Sequence, residues 1–143
     1  MVELNNRLSA MLKIGENSDG AVWGDLGRAF RTVSQDMGES CYTAAYLADG
    51  GFSSSEVTGC DYTITFGGDF MPDDEVIKYI FSTSVLYGTG DARKTQLKIT
   101  KNNRTVLWNV TLVKIAEKGG KANQPNSVVL EMKGNGKPTV TQL

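Results

Sequence analysis

Apolar residues recur at every second position in four separate stretches of this chain. Tyr62, Ile64 and Phe66 alternate with Asp61, Thr63 and Thr65, and Leu97 and Ile99 alternate with Gln96, Lys98 and Thr100. Val106, Trp108, Val110 and Leu112 form a third row, and Val128, Leu130 and Met132 a fourth. Successive side chains of a strand point to opposite faces, so a period of two places each row on one face of a sheet. The third stretch also carries Leu107, Val113 and Ile115 on its other side. Apolar residues on both faces predict burial on both sides, under a helix and against another sheet or subunit. Asn102-Asn103 stands between the second and third rows, and asparagine tolerates the positive φ of a tight hairpin. With 16 glycines among 143 residues, turns are frequent and the strands short.

One segment has a helical period. In "MPDDEVIKYIFSTSVL" (71–86), Val76, Ile77, Ile80, Phe81 and Val85 make a stripe at i, i+3 and i+4. Pro72 suits a first turn, and Asp73, Asp74 and Glu75 complement the positive end of the helix dipole. The expected fold is mainly β: a sandwich or partly closed barrel with one flanking helix over about 72–86, packed across the sheet near Trp108. A chain of this length fits a single domain, 1–143.

Three parts read as extensions of that body. Residues 1–14 carry Leu4, Leu8 and Met11 at helix-like spacing broken by Asn5-Asn6, and read as a docking arm. Residues 49–59, "DGGFSSSEVTG", read as a flexible loop, where Gly50, Gly51 and three serines surround one aromatic, Phe52. Near the C-terminus, a strand with Val128 and Leu130 lies between Gly119-Gly120 and "GNGKP", and 137–143, with Val140, reads as a second arm. More sticky surface than a monomer needs makes Leu4, Leu8, Met11, Gly50, Gly51, Phe52, Val128, Leu130 and Val140 candidates for self-assembly.

The chain has no histidine, which removes Ser-His-Asp and Cys-His catalysis and histidine metal sites. Cys41 and Cys60 lack the CxxC spacing of a zinc site, and would pair only on neighbouring strands. "GTGDARK" (88–94) lacks the spacing of a phosphate loop and precedes a strand. The helix dipole accounts for the acidic run at 73–75 without a cation. A formal charge of −1 gives no basic footprint for gripping nucleic acid. No stretch reads as a signal peptide or membrane span, so synthesis in the cytoplasm and no membrane insertion are expected. No catalytic residue, metal ligand or cofactor site is expected.

From Tyr62 to Val140 the order of motifs resembles the major tail tube proteins of long, non-contractile-tailed phages. The strand "YTITFGGDF", the helix "DEVIKYIF", the strand entry "GDARKT", the long strand, "GGKAN" and "NGKPTV" follow one another as in that family. The Gly68-Asp69 turn departs from its usual pattern, and no immunoglobulin-like domain follows Pro138, which implies a smooth tube. The resemblance implies a structural virion protein, not an enzyme. It implies hexameric rings stacked into a tube through which double-stranded DNA passes without specific binding. The implied partners are other copies of the chain, a tape-measure protein, a tail terminator and a tail tip, and the implied location is the virion tail. The tube of a contractile tail or tail-derived particle is a close alternative, and a small β-barrel module for a ligand or peptide a more distant one.

Overall fold

The structure is a computed structural model that describes residues 8–119 and 121–142. Among them are ten strands: β1 (Ser9–Asn17), β2 (Gly20–Asp25), β3 (Phe30–Asp36), β4 (Glu39–Ala45), β5 (Ser53–Cys60), β6 (Thr63–Asp69), β7 (Lys94–Lys101), β8 (Arg104–Lys118), β9 (Ser127–Gly134) and β10 (Thr139–Gln142). All pairings are antiparallel. The main sheet has the order β2-β1-β7-β8-β9-β6-β3, with β10 also on β8. Strands β9 and β10 share one edge of the long β8, β9 along Val110–Lys118 and β10 along Arg104–Leu107.

The topology forces this sheet to curl. Strands β2 and β3 lie at its two edges, yet only Leu26–Ala29 separates them in sequence. Laid flat, seven strands at about 4.8 Å spacing would put the edges roughly 29 Å apart. The five steps from Asp25 to Phe30 reach at most about 18 Å. The sheet therefore folds over, and Leu12, Leu97, Val110, Leu130 and Ile64 from its successive strands meet in one buried cluster. It does not close into a barrel. The expected sandwich-like β fold is the observed one.

The four alternating rows occupy β6, β7, β8 and β9 as expected. Their inward members are buried, including Ile64, Leu97, Val110 and Met132. Asn102 and Asn103 turn the β7–β8 hairpin with φ of 52° and 59°. Within the core, Tyr62 stacks on Trp108 with ring centroids 4.0 Å apart and planes 1° off parallel. A Cβ on Gly134 would come within 2.9 Å of the Trp108 ring, so the glycine makes room for the stack.

The helical segment falls where expected, as two short pieces, α1 (Glu75–Ile80) and α2 (Thr83–Leu86). Asp74 caps α1, accepting from the N–H groups of Val76 at 3.1 Å and Ile77 at 3.3 Å. Ser82 is extended and separates the pieces. The buried stripe Val76, Ile77, Ile80 packs over β1 and β2, not over Trp108, with Val76 against Gly24. Phe81 is only half-buried and meets Phe70 edge-on at 5.2 Å. Arg93, ahead of β7, ties the helices to the sheet by donating to the Leu86 carbonyl at 2.7 Å and the Leu112 carbonyl at 3.2 Å.

Two arms fold differently from the expectation. The first expected arm, 1–14, includes Ser9 onward as β1, inside the main sheet between β2 and β7. Its helix-like spacing is overridden by pairing, Ser9 opposite Thr100 and Leu12 opposite Leu97. Of the second, 137–143, Thr139–Gln142 is strand β10.

Candidate functional site

The segment expected as a loop, 49–59, is instead mostly strand. β4 and β5 form a two-stranded hairpin apart from the main sheet. It continues the β3–β6 pair outward, so residues 37–61 make a single projecting arm. At its root the Asp61 N–H donates to the carbonyls of Met37 at 2.9 Å and Gly38 at 3.1 Å. Gly38 holds φ at +56°, and a Cβ there would lie 2.3 Å from the Asp61 carbonyl oxygen. Only glycine fits this hinge. At the tip, a 3-10 turn over Leu47–Asp49 runs into Gly50 (φ 66°) and Gly51 (φ 87°).

The arm has no covered face. Thr43 opposes Ser55, their hydroxyls 3.0 Å apart, on the same side as Cys41 and Val57. Tyr42 and Glu56 oppose each other on the other side. Tyr42, Tyr46, Leu47, Phe52 and Val57 are all exposed, Phe52 at 79% and Tyr42 at 56%. An isolated two-stranded hairpin is at best marginally stable in water, and gains stability when its apolar side chains are covered. Cys41 and Cys60 share the arm but not a pairing: Cys41 faces Val57 and Cys60 faces Glu39. Both thiols are free and exposed.

The nine expected assembly residues separate into groups. Gly50, Gly51 and Phe52 are together at the arm's tip, and Val140 is exposed on β10. Leu8, just ahead of β1, and Met11 on it are half-buried. Leu8 lines a groove of about 550 Å³ along the open seam, facing Phe30 and Thr32 of β3. Val128 and Leu130 are fully buried, because the row they form with Met132 is the inward face of β9; they hold the core and offer nothing to a neighbour. Leu4 lies outside the described residues. Sequence reasoning missed Tyr42, Tyr46, Leu47 and Val57, whose signal was large apolar residues scattered among Ser and Thr without a period.

Among the described residues no group of three Asp, Glu or Cys is placed to hold a metal ion. Burial pushes the Tyr62 hydroxyl above its usual range, and it donates to Gln35 Oε1 at 2.7 Å in a packed interior. A hydrogen bond from Lys13, then its charge, holds the exposed Glu16 carboxyl below its usual range. No described helix is long and apolar enough to cross a membrane.

No protein-family model matches the chain, and no curated protein does. Solved structures do match in fold. One is a chain in the tail of an empty GTA particle refined with C6 symmetry: TM-score 0.74, 14% identity, 98% of this chain and 99% of that one covered. Another, from the virion of a native gene transfer agent (GTA) particle, gives TM-score 0.70 at 16% identity over 98% and 99%. A chain of the sheath–tube complex of an extracellular contractile injection system, PVC, gives 0.61 at 13% identity over 96% and 89%.

Proposed function

We propose that this chain is the repeating subunit of a virion tail tube, assembled as hexameric rings stacked head to tail. The observation that carries the reading is the fold, shared over nearly the whole length of both chains with a component of a six-fold symmetric tail. The exposed arm supports it independently. A heterologous contact repeated by rotation closes into a ring, and arms that project from each copy supply such a contact. The partners in this reading are other copies of the chain, a tape-measure protein, a terminator and a tail tip, with double-stranded DNA passing through the lumen unbound. No catalysis is involved.

The finer assignment, to tails without a contractile sheath, rests on the motif order from Tyr62 to Val140. A tube inside a sheath is the second reading, favoured by the likeness to the sheath–tube complex. Negative-stain microscopy of concentrated protein, with and without a tail-tip complex, tests the common core. Rings or hollow tubes are expected; strictly monomeric protein in both conditions would refute it. Phe52→Ala should leave the melting midpoint of the monomer unchanged and reduce tube formation. Normal tubes from that variant would remove the arm's tip from the interface.

A further inference from the structure

Charge is divided along this chain in a way its net value hides. Residues 32–77 hold nine carboxylates and no lysine or arginine, whereas residues 78–142 hold eleven lysines and arginines against three acids. The fold keeps the two sets apart. The acidic segment supplies the arm and the β3–β6 edge, and the basic one supplies β7, β8, β9 and β10.

The basic set has a defined surface. Leu97 and Ile99 point inward, so Lys98 lies on the outer face of β7, where its ammonium sits 4.2 Å from the Trp23 ring centroid. Lys94 is on the same face, opposite Thr111, which in turn pairs with Lys133 of β9. Lys114 is exposed at the irregularity in β8, next to the exposed Val113. Several of these lysines have partners within the chain, Asp91 for Lys94 at 3.6 Å and Asp61 for Lys133 at 3.7 Å. Such exposed pairs are weak and exchangeable. The arm carries Glu56 beside the exposed Tyr42 on one side, Glu39 on the side of the exposed Val57, and Asp61 at its root.

We propose that the acidic arm of one copy docks on the lysine-bearing outer face of β7, β8 and β9 of a second copy. Glu56 and Tyr42, on one side of the hairpin, meet the face that bears Lys94, Lys98 and Lys114, and Glu39 on the other side adds to the arm's negative field. Arm and face are different surfaces of one molecule, so the contact is heterologous and propagates from copy to copy. Like charges keep arm from arm and face from face, which fixes the order of docking. The repeat into rings rests on the tube reading; the pairwise docking does not.

Two charge reversals test it: Glu39→Lys with Glu56→Lys on the arm, and Lys94→Glu with Lys114→Glu on the face. Each variant alone is expected to need at least about a tenfold higher concentration to associate in sedimentation, with unchanged circular dichroism. Mixing the two should restore association, because each arm then meets a face of opposite charge. Wild-type association should weaken from about 50 to about 500 mM salt, as the screening length falls well below 10 Å. Should a reversed arm not fold, Glu39→Gln with Glu56→Gln carries the same test, with a smaller loss in the same direction. Tubes formed normally by both single variants would overturn the docking and leave the tube reading standing. Association that the reversals abolish and the mixture restores, without rings in the microscope, would keep the docking and remove the tube. A face whose reversal abolishes binding to a short DNA duplex, while the arm reversal assembles normally, would assign that face to nucleic acid and overturn the proposal.

Discussion

At the scale of residues, the Tyr62–Trp108 stack has a measurable consequence. Tyr62 is buried, its hydroxyl donates to Gln35, and burial disfavours the charged phenolate. Its folded-state pKa is therefore above the usual value near 10 that it regains on unfolding. The contribution to stability is fully present below that value and is lost as pH rises through and beyond it. Tyr62 should ionise, as followed in the ultraviolet, only together with unfolding. Ionisation of Tyr62 while the near-ultraviolet dichroism stays intact would contradict the packing. The stack also explains a residue that looked like punctuation. Gly134 reads as the start of a turn in "GNGKP", but its lack of a side chain is needed beside the two rings.

At the scale of elements, α1 is six residues long, too short to hold together on propensity alone. The Asp74 cap and the buried Val76, Ile77 and Ile80 keep it in place. Asp74→Ala should lower stability by about 1 kcal/mol, read as a fall in the denaturation midpoint at constant slope. No change would mean that packing alone fixes the first turn. Strands β6 to β9 were legible because each has one face in the core, and burial writes a period of two into the sequence. Strands β4 and β5 were not. Both faces of that hairpin are exposed, so Cys41, Thr43, Ser53 and Ser55 carry no alternation, and serines beside two glycines look like a loop. Strand β1 was obscured for a different reason. Leu8, Met11 and Leu12 have a helical spacing by themselves, and only the partner strand more than eighty residues later reveals an extended chain. In the site, Phe52 was visible as an aromatic among small residues. Val128 and Leu130 were misassigned because a well-formed inward row looks the same in sequence as a row offered to a neighbour.

At the scale of the whole molecule, the tube reading makes the arm the part whose environment changes most between a lone subunit and an assembly. Amide hydrogen exchange over 39–60 should be fast in the monomer and slowed in tubes, while β8 and β9 exchange slowly in both. Equal protection of 39–60 in the two states would mean that the arm is not covered by a neighbour. The pairing of β1 with β7 carries a further consequence for how the molecule is made. Ser9–Leu12 leaves the ribosome early, but its partner Leu97–Thr100 comes late, and the Thr95 hydroxyl that donates to the Lys13 carbonyl comes with it. The main sheet therefore cannot be completed until β9, which ends at Gly134, has been synthesised, and contacts so distant in sequence form slowly. The arm is translated before β7, β8 and β9, the strands on which an incoming arm would rest. In the docking proposed above, a half-made chain would offer an arm but lack the face that receives one, so polymerisation would wait until β7, β8 and β9 have been made.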